Sequence, residues 1–385
     1  MRCRSCIAAN CFSAAVTFLL LVTPVQGQVS RADVLENDAN WVSVTDHSED
    51  SQTAVVKQVG YHQPADAGVL PFLKDFGRST SSSCATPWWA HRTSVFGEYL
   101  SLRPTDSDIA YAVEQNDATA NAFPTGPVGI TAIDASSGFR AGVSFASSEC
   151  SSLVVTYTGW EGDDSDVLRR NGNNIINSRI LHPSTATTGA NSLQSSAESA
   201  MEFSLLDFGY RQQLLCTKST VFNWFGGFRY GEIEQSLDTQ QQISVATGLA
   251  STDTDVDFDG FGLLMGLDAE RRSCKTGLLC YSRGAGSLLG GDWTGRYRQT
   301  NQFGGGVIGN DFHEFRITPV VEAELGVGYQ NDSGNLRATV GYTASSWFNA
   351  LKTRSYVEGV RSGNFDYEDE SIGFIGLTTR VELRF

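Results

Sequence analysis

The stretch SIGFIGLTTRVELRF, residues 371–385, decides the fold class. Counting back from Phe385 to Ile375, every second residue is apolar or threonine, and the residues between them include Arg380, Glu382 and Arg384. A period of two over this length indicates a β-strand with one apolar and one charged face. Such a strand separates an apolar medium on one side from water on the other.

Nine further segments alternate in the same way, and the spacing of the ten carries information. The segments are 93–103, 138–147, 151–161, 200–215, 219–236, 256–272, 276–290, 312–329, 335–349 and 371–385. Gaps of roughly 20 to 40 residues alternate with gaps of three to five residues, as the outer loops and periplasmic turns of a transmembrane barrel do. We therefore predict an all-β fold, a transmembrane antiparallel up-and-down β-barrel of ten strands. Twelve strands are the alternative, because weaker alternation in 241–250 would add a pair, and a soluble β-sandwich is the other fold that alternation permits.

The N-terminal region predicts export followed by a polar extension. Two arginines precede an apolar run from Phe12 to Val22 and a small-residue end, which is typical of a signal peptide over residues 1–27. Residues 28–92 are polar and acidic, and we expect a disordered or loosely folded periplasmic extension, with a plug as the alternative. The barrel is assigned to residues 93–385.

Charge and cysteine content restrict the partners. The formal net charge of −15 argues against nucleic acid as a partner. The outer-membrane bilayer and small solutes or ions are the partners expected, and the oligomeric state is open. The cysteines left after signal removal lack a zinc-binding spacing, so neither a metal nor a cofactor is predicted. Export permits disulfides among Cys84, Cys150, Cys216, Cys274 and Cys280, with the pairing open.

Alternation assigns a set of charged residues to the inner wall of the barrel. They are Arg140, Arg229, Glu322, Glu324, Arg337, Arg380 and Glu382. Barrels of about eight strands have room only for side chains, whereas 16–18 strands leave a water channel. Ten strands therefore predict a narrow lumen, in which these charges form either a plug of salt bridges or a selectivity filter.

Tryptophans near the ends of the predicted strands match a membrane-interface girdle. They are Trp88, Trp89, Trp160, Trp293 and Trp347. Rings with an apolar body and a polar tip settle at headgroup depth. Ordinary core aromatics are the alternative interpretation.

An enzymatic function is not expected from the sequence, and no catalytic residue is assigned. Asp311 and His313 lie near the outer end of the eighth segment, and Asp292 would have to converge on them to make a catalytic group. Loop polarity explains these residues more simply.

Residues 93–385 resemble the Legionella-type major outer membrane protein family, in its planctomycete branch. The resemblance rests on FGEYLSLRPTDSDIAYAV, GFRAGVSF, FNWFGGFRYGEIEQ, TPVVEAELGVGY and the terminal VELRF. It implies a pore-forming β-barrel located in the outer membrane. A last strand ending in Val381, Leu383 and Phe385 also resembles the signal that the outer-membrane assembly machinery reads.

Together these patterns predict a porin-like pore for small solutes or ions, with a narrow lumen. A non-conducting structural or adhesive barrel that acts through its extracellular loops is the alternative. An outer-membrane hydrolase with an Asp/His site at the rim is the least favoured of the three.

Overall fold

Strands make up nearly all of the described structure. A computed structural model describes residues 91–385 apart from 118–121, 184–192, 218, 245–247, 274, 302–306 and 366–369. The elements are β1 (Ser94–Thr105), β2 (Ile109–Gln115), β3 (Pro124–Thr131), β4 (Ser136–Ser148), β5 (Ser151–Arg169), β6 (Ile175–Ser178), β7 (Gln194–Cys216), β8 (Thr220–Ser244), β9 (Gly248–Arg272), β10 (Leu278–Asn301), β11 (Val307–Gln330), β12 (Leu336–Phe348), α1 (Thr353–Ser362) and β13 (Ser371–Arg384).

Ten of these strands close into an antiparallel up-and-down barrel in the order β1-β13-β12-β11-β10-β9-β8-β7-β5-β4. The last strand pairs with the first, from Ser94 opposite Arg384 to Thr105 opposite Gly373. Closure leaves no unpaired strand edge, which a wall in hydrocarbon requires. The predicted ten-stranded barrel is confirmed, and within the segment 241–250 the described residues 241–244 and 248–250 belong to β8 and β9.

The two ends of the barrel differ in their connections. The connections from Ser148 to Ser151, from Cys216 to Thr220, from Arg272 to Leu278 and from Gln330 to Leu336 join strands at the end where β1 begins and β13 ends, which we call the short-turn end. The opposite end, the long-loop end, carries the connections that hold the smaller elements.

Strands β8 to β11 continue further than the sequence predicts, to 24 or 25 residues each. Segments 237–255 and 291–311, which we expect to be loops, are largely strand. Most of their outward residues are polar, so the apolar outer face that marks a membrane strand stops before the strand does. Residues on the inward face, such as Leu237 and Val256, stay buried.

Two elements lie in connections for which the sequence predicts only loops. β2, β3 and β6 form a three-stranded sheet in the order β3-β2-β6. α1 buries Tyr356, Val357 and Val360 on one face, and it ends at Gly363, whose φ of 69° suits a residue without a Cβ. None of the described helical segments is long and apolar enough to cross a membrane.

An apolar belt surrounds the outside of the barrel next to the short-turn end. Outward side chains such as Phe228 on β8, Leu263 on β9 and Leu377 on β13 are more than half exposed in the isolated chain. Exposed apolar side chains on every strand of a closed sheet mark the lipid-facing band of an outer-membrane barrel.

Some predictions fall on the part of the chain outside the described residues. They are the signal peptide 1–27, the extension up to residue 90, Trp88, Trp89, Cys84 and Cys274.

Candidate functional site: the barrel lumen

The lumen half next to the short-turn end is filled by paired charges, which we call the charged layer. Arg229 on β8 donates from Nε to Asp207 Oδ1 at 2.7 Å and from Nη2 to Asp207 Oδ2 at 2.8 Å. Its Nη2 also lies 2.8 Å from Glu322 Oε2. Asp207 is on the neighbouring β7, but Glu322 is on β11, across the lumen. One guanidinium therefore joins two sides of the wall.

A second ion pair crosses the lumen from the other side. Arg140 on β4 donates from Nη1 to Glu98 Oε1 at 3.0 Å and to Glu324 Oε2 at 3.3 Å. Tyr281 donates its hydroxyl to the other oxygen of Glu324, Oε1, at 2.6 Å. Hydrogen bonds between charged groups are about twice as strong as neutral ones, so these contacts hold β4 and β11 together inside the barrel.

Further ion pairs lie close to the short turns. Arg337 on β12 donates to Glu270 on β9 at 2.6 Å, which is a third crossing of the lumen. The other pairs are Arg211 with Asp268, and both Arg380 and Arg384 with Glu382.

The structure places all seven predicted lumen charges on the inward face and in these ion pairs. They are Arg140, Arg229, Glu322, Glu324, Arg337, Arg380 and Glu382. Pattern reasoning missed three of their partners, Asp207, Glu98 and Glu270. Asp207 shares its face of β7 with Phe203 and Leu205, because the inner face changes from apolar to charged along this strand.

The half of the lumen next to the long-loop end is filled by rings, which we call the aromatic layer. Phe203 on β7 has its ring centroid 4.7 Å from that of Phe374 on β13 and 6.5 Å from that of Trp347 on β12. Since β7 lies nearly opposite β12 and β13 in the barrel, these contacts span the lumen. Phe258 on β9 and Trp293 on β10, 4.8 Å apart, continue the layer. These rings pack against one another across this half of the lumen.

The membrane-interface assignment of Trp160, Trp293 and Trp347 is wrong. Their exposed fractions are 3%, 0% and 1%, and all three belong to the apolar cluster inside the barrel. Their polar tips find partners there: Trp160 donates to Ser136 O and Trp293 to Thr318 Oγ1, both at 3.1 Å. A buried indole is tolerated when its N–H is bonded.

Tyrosines on the outer wall have the position and chemistry of a girdle instead. Tyr99 and Tyr157 face outward at the boundary towards the long-loop end, and Tyr210 and Tyr329 face outward near the short turns. Their rings extend the apolar belt, and their hydroxyls suit headgroup depth. These tyrosines could not be located from the predicted strand ends, because the strands extend beyond the apolar belt.

A cap covers the aromatic layer at the long-loop end. Gln235 on β8 donates to Leu351 O at 2.9 Å, which holds the segment before α1 over the lumen. Tyr356 of α1 packs above Gly295, where a Cβ would come 2.9 Å from the ring. Tyr297 donates to Ile180 O at 3.0 Å, so the connection between β6 and β7 also folds onto the wall of β10.

A cavity of about 130 Å³ lies in the charged layer and reaches the short-turn end. His91 and Arg92, which precede β1, lie across its mouth, and we call them the mouth strap. His91 Nε2 is 3.2 Å from Asn223 Oδ1 on β8, and Arg92 donates to Asn335 Oδ1 in the turn before β12 at 3.0 Å. Burial, with a smaller contribution from Arg211, lowers the pKa of His91 to about 4. His91 is therefore neutral at pH 7.

The predicted rim residues come together only in part. His313 Nε2 lies 3.6 Å from Asp292 Oδ1, and both side chains are more than half exposed on the outer wall. Asp311 instead accepts two hydrogen bonds from Arg298, at 2.7 and 2.9 Å.

Two further sets of predicted residues can be placed in part. Cys216 at the end of β7 is disulfide-bonded, Cys150 lies in the turn before β5, and Cys280 lies in β10. The pairing stays a prediction. Val381, Leu383 and Phe385 all face outward at the short-turn end, and their recognition by the assembly machinery also stays a prediction.

A closed, lipid-facing barrel of ten antiparallel strands with a polar inner wall defines an outer-membrane β-barrel protein. A family model described as the Legionella pneumophila major outer membrane protein precursor matches residues 83–385. The chain belongs to this family, and its place is the outer membrane. The match does not distinguish a planctomycete branch. Among curated proteins, none matches the chain.

Several solved structures are similar to the chain at low identity. The outer membrane protease OmpT from Escherichia coli is 11% identical, with 76% of this chain and 97% of that chain covered and a TM-score of 0.43. The P. putida toluene transporter TodX is 10% identical, with coverage of 77% and 91% and a TM-score of 0.27. The transport unit of the E. coli autotransporter AIDA-I is 8% identical, with coverage of 80% and 94% and a TM-score of 0.24.

The expectation that the chain is not an enzyme is corrected by these comparisons. One of the similar barrels is an outer membrane protease. At 11% identity and a TM-score of 0.43 this likeness assigns no activity to the chain, and enzyme status is not established.

Proposed function

We propose that this outer-membrane barrel is a narrow pore for small solutes or ions, closed in this conformation by the aromatic layer and its cap. The carrying observation is the cavity within the charged layer, which extends from the mouth strap to Asp207 and Glu324. A volume of about 130 Å³ holds several water molecules, since each occupies about 30 Å³ in the liquid. The cavity therefore supplies a polar space of a size that water can fill.

Side chains and one connection close the other half. The aromatic layer meets across the lumen through Phe203, Phe374 and Trp347, and the cap rests on it through α1. Apolar contacts of this kind are non-directional, so rotation of the rings and displacement of α1 open a passage without breaking the wall. The passage would stay narrow, because ten strands lie near the lower limit for an open lumen.

Conductance of the purified protein in planar bilayers tests the proposal. We expect rare, small channel steps from the wild type, and more frequent or larger steps from Phe203→Ala and Trp347→Ala, which remove rings from the closure. Phe228→Ala is the matched control, because Phe228 faces outward on β8 and its loss leaves the lumen unchanged. Folding of each variant is checked by the shift in gel mobility on heating.

Persistent electrical silence of all folded variants would replace the pore with the second candidate, a structural or adhesive barrel. That candidate is supported by the cap itself, in which α1, the β3-β2-β6 sheet and the aromatic layer share one apolar cluster. A barrel that acts only through its outer end needs such a rigid platform and no passage.

A further inference from the structure

The cavity in the charged layer carries an excess of positive charge. Six arginines and five carboxylates line it, together with His91, which is neutral at pH 7. Most of these arginines are engaged: Arg211 with Asp268, Arg337 with Glu270, and Arg380 and Arg384 with Glu382.

Arg283 on β10 is the exception. Within the described residues its guanidinium makes neither a hydrogen bond nor a salt bridge, and it lies 4.9 Å from the ring centroid of Phe225. Its direct cross-strand neighbours are Glu324 and Asp268, which offer the nearest carboxylates along the sheet.

Those carboxylates are already occupied. Asp268 accepts hydrogen bonds from Arg211 at 2.8 Å and 2.5 Å and from Asn223 at 2.7 Å. Glu324 accepts from Arg140 and Tyr281. A half-buried guanidinium with no anion of its own is a favourable partner for an incoming one, because its five donors fit a carboxylate in a two-pronged geometry.

One side of the same cavity is apolar. Phe96, Phe225 and Leu264 line it, and all three are at least nine-tenths buried. Phe225 and Leu264 pack together with Ala285 in a small apolar cluster beneath Arg283. A cation next to an apolar wall selects a ligand that has both a negative charge and an apolar body.

The volume limits the size of that body. The cavity of about 130 Å³ is close to the engineered cavity of roughly 150 Å³ that accommodates benzene. One small ring or a short branched chain fits, and a larger metabolite does not.

We propose that this cavity binds a small organic monocarboxylate, with the carboxylate on Arg283 and the apolar part against Phe225 and Leu264. Passage of such anions through the barrel rests on the pore proposed above, whereas binding does not. The arrangement is distinct from a simple electrostatic filter, because it recognises the apolar part of the ligand as well as its charge.

Isothermal titration of the full-length protein in detergent with benzoate tests the site. We expect benzoate to bind and three comparison ligands to bind at least tenfold more weakly. Benzyl alcohol has the ring without the charge, acetate has the charge without the ring, and benzylammonium reverses the charge. A charge-assisted hydrogen bond of about 1.5–3 kcal/mol corresponds to a factor of roughly 10 to 100 in affinity.

Variants of Arg283 connect the binding to the residue. Arg283→Gln should weaken benzoate binding by at least about tenfold, and Arg283→Lys should retain part of it, since lysine keeps the charge without the planar fork. Arg169→Gln is the matched control, because Arg169 lies exposed at the end of β5 outside the cavity. Folding of each variant is checked by heat-shifted gel mobility.

Equal benzoate affinity in wild type and Arg283→Gln would overturn the proposal, and so would tighter binding of acetate or benzylammonium than of benzoate. Benzoate binding that depends on Arg283 in a protein without conductance would keep the site and reject the pore. Conductance without benzoate binding would keep the pore and reject the site.

Discussion

The two halves of the barrel wall have opposite polarity. On β9, the half next to the long-loop end turns Asp257 and Asp259 outward and Phe258 inward. The half next to the short-turn end turns Leu263 outward and Asp268 inward. Within a single strand, the apolar face therefore passes from the inside of the barrel to the outside.

A slip in strand register does not cause this inversion. β8 and β9 pair without interruption from Thr220 opposite Arg271 to Gln242 opposite Leu249, through the level where the polarity changes. The medium changes instead. Next to the short turns the apolar face meets hydrocarbon, and beyond that belt it meets the aromatic layer, because each half turns its apolar side away from water.

The fillings of the lumen follow from the inversion. The charged layer holds opposite sides of the wall with directional contacts, such as Arg229 to Glu322 at 2.8 Å. The aromatic layer holds them with ring packing, such as Phe203 against Phe374 at 4.7 Å. Loss of one charge leaves its partner charges buried and uncompensated. Loss of one ring leaves only a cavity among apolar side chains, which costs less free energy. Substitutions in the two layers should therefore differ in cost.

The largest effect is expected from Arg229→Met. The variant leaves Asp207 and Glu322 without their shared cation inside the lumen, and breaking a buried ion pair costs about 3–5 kcal/mol. We expect a loss of that size in the free energy of unfolding, measured by urea titration in lipid vesicles. The triple variant Arg229→Met, Asp207→Leu, Glu322→Met should recover most of it, because a well-packed apolar replacement of such a group is often neutral. A loss below about 1 kcal/mol in Arg229→Met would show that the charged layer is weakly coupled to folding.

A smaller effect is expected from Phe203→Leu in the aromatic layer. Leucine keeps most of the volume but loses the ring contacts with Phe374 and Trp347, and we expect a cost of about 1–2 kcal/mol. Phe228→Leu is the control, since Phe228 faces lipid on β8 and a leucine side chain is similarly favourable in hydrocarbon. Equal costs for the two variants would contradict the separate roles assigned to the inner and outer faces.

Much of the barrel could be predicted from the sequence. The alternation of apolar residues and the lengths of the gaps between alternating segments both depend on where the chain crosses the hydrocarbon of the membrane. Outward apolar residues, such as Phe228 and Leu377, occur at every second position only where the strand faces lipid. The extension of β8 to β11, the aromatic layer and α1 could not be predicted in this way. Beyond the belt the apolar residues point into the barrel. Trp293 and Trp347 lie near the ends of the predicted strands, and that position alone wrongly assigns them to the membrane interface.

The predicted lumen charges were identifiable because charge opposite an apolar face is informative on its own. Their pairing was not, since Arg229 and Glu322 lie on strands that are not neighbours. In the sequence Arg283 shares a strand face with Tyr281, so a charge and an aromatic ring lie on the same side of β10. That combination is what an amphipathic cavity in the lumen requires.

The mouth strap should give a modest, pH-dependent effect. His91 takes up a proton near pH 4 in the folded protein and near 6.5 in the unfolded chain. Between these values the unfolded state binds more protons, so stability falls as the pH falls from 6.5 to 4. His91→Gln removes this contribution, which we place at about 1 kcal/mol after allowance for solvent screening at a half-exposed site.

The measurement is the difference in unfolding free energy between wild type and His91→Gln at pH 8 and at pH 4.5. Subtracting the value at pH 4.5 from the value at pH 8 removes two other contributions. These are the lost hydrogen bond to Asn223, which is the same at both pH values, and the carboxylates, which titrate equally in both proteins. A constant difference at both pH values would show that His91 holds the strap without titrating.

The smallest effect is expected on the outer wall, and it should have the opposite sign. Glu202 on β7 faces Glu161 on β5 and Glu234 on β8 directly across the sheet, and the row continues to Asp257 on β9. Like charges directly opposite each other destabilise a sheet, so Glu202→Gln should stabilise the barrel by about 0.2–1 kcal/mol. The gain should shrink in high salt, since exposed charges are screened within about 10 Å at 0.1 M. In the charged layer, where each carboxylate has an arginine, the comparable change Glu322→Gln should destabilise the barrel in the same urea titration. If both changes had the same sign, the contrast between a paired interior and a repelling exterior would be wrong.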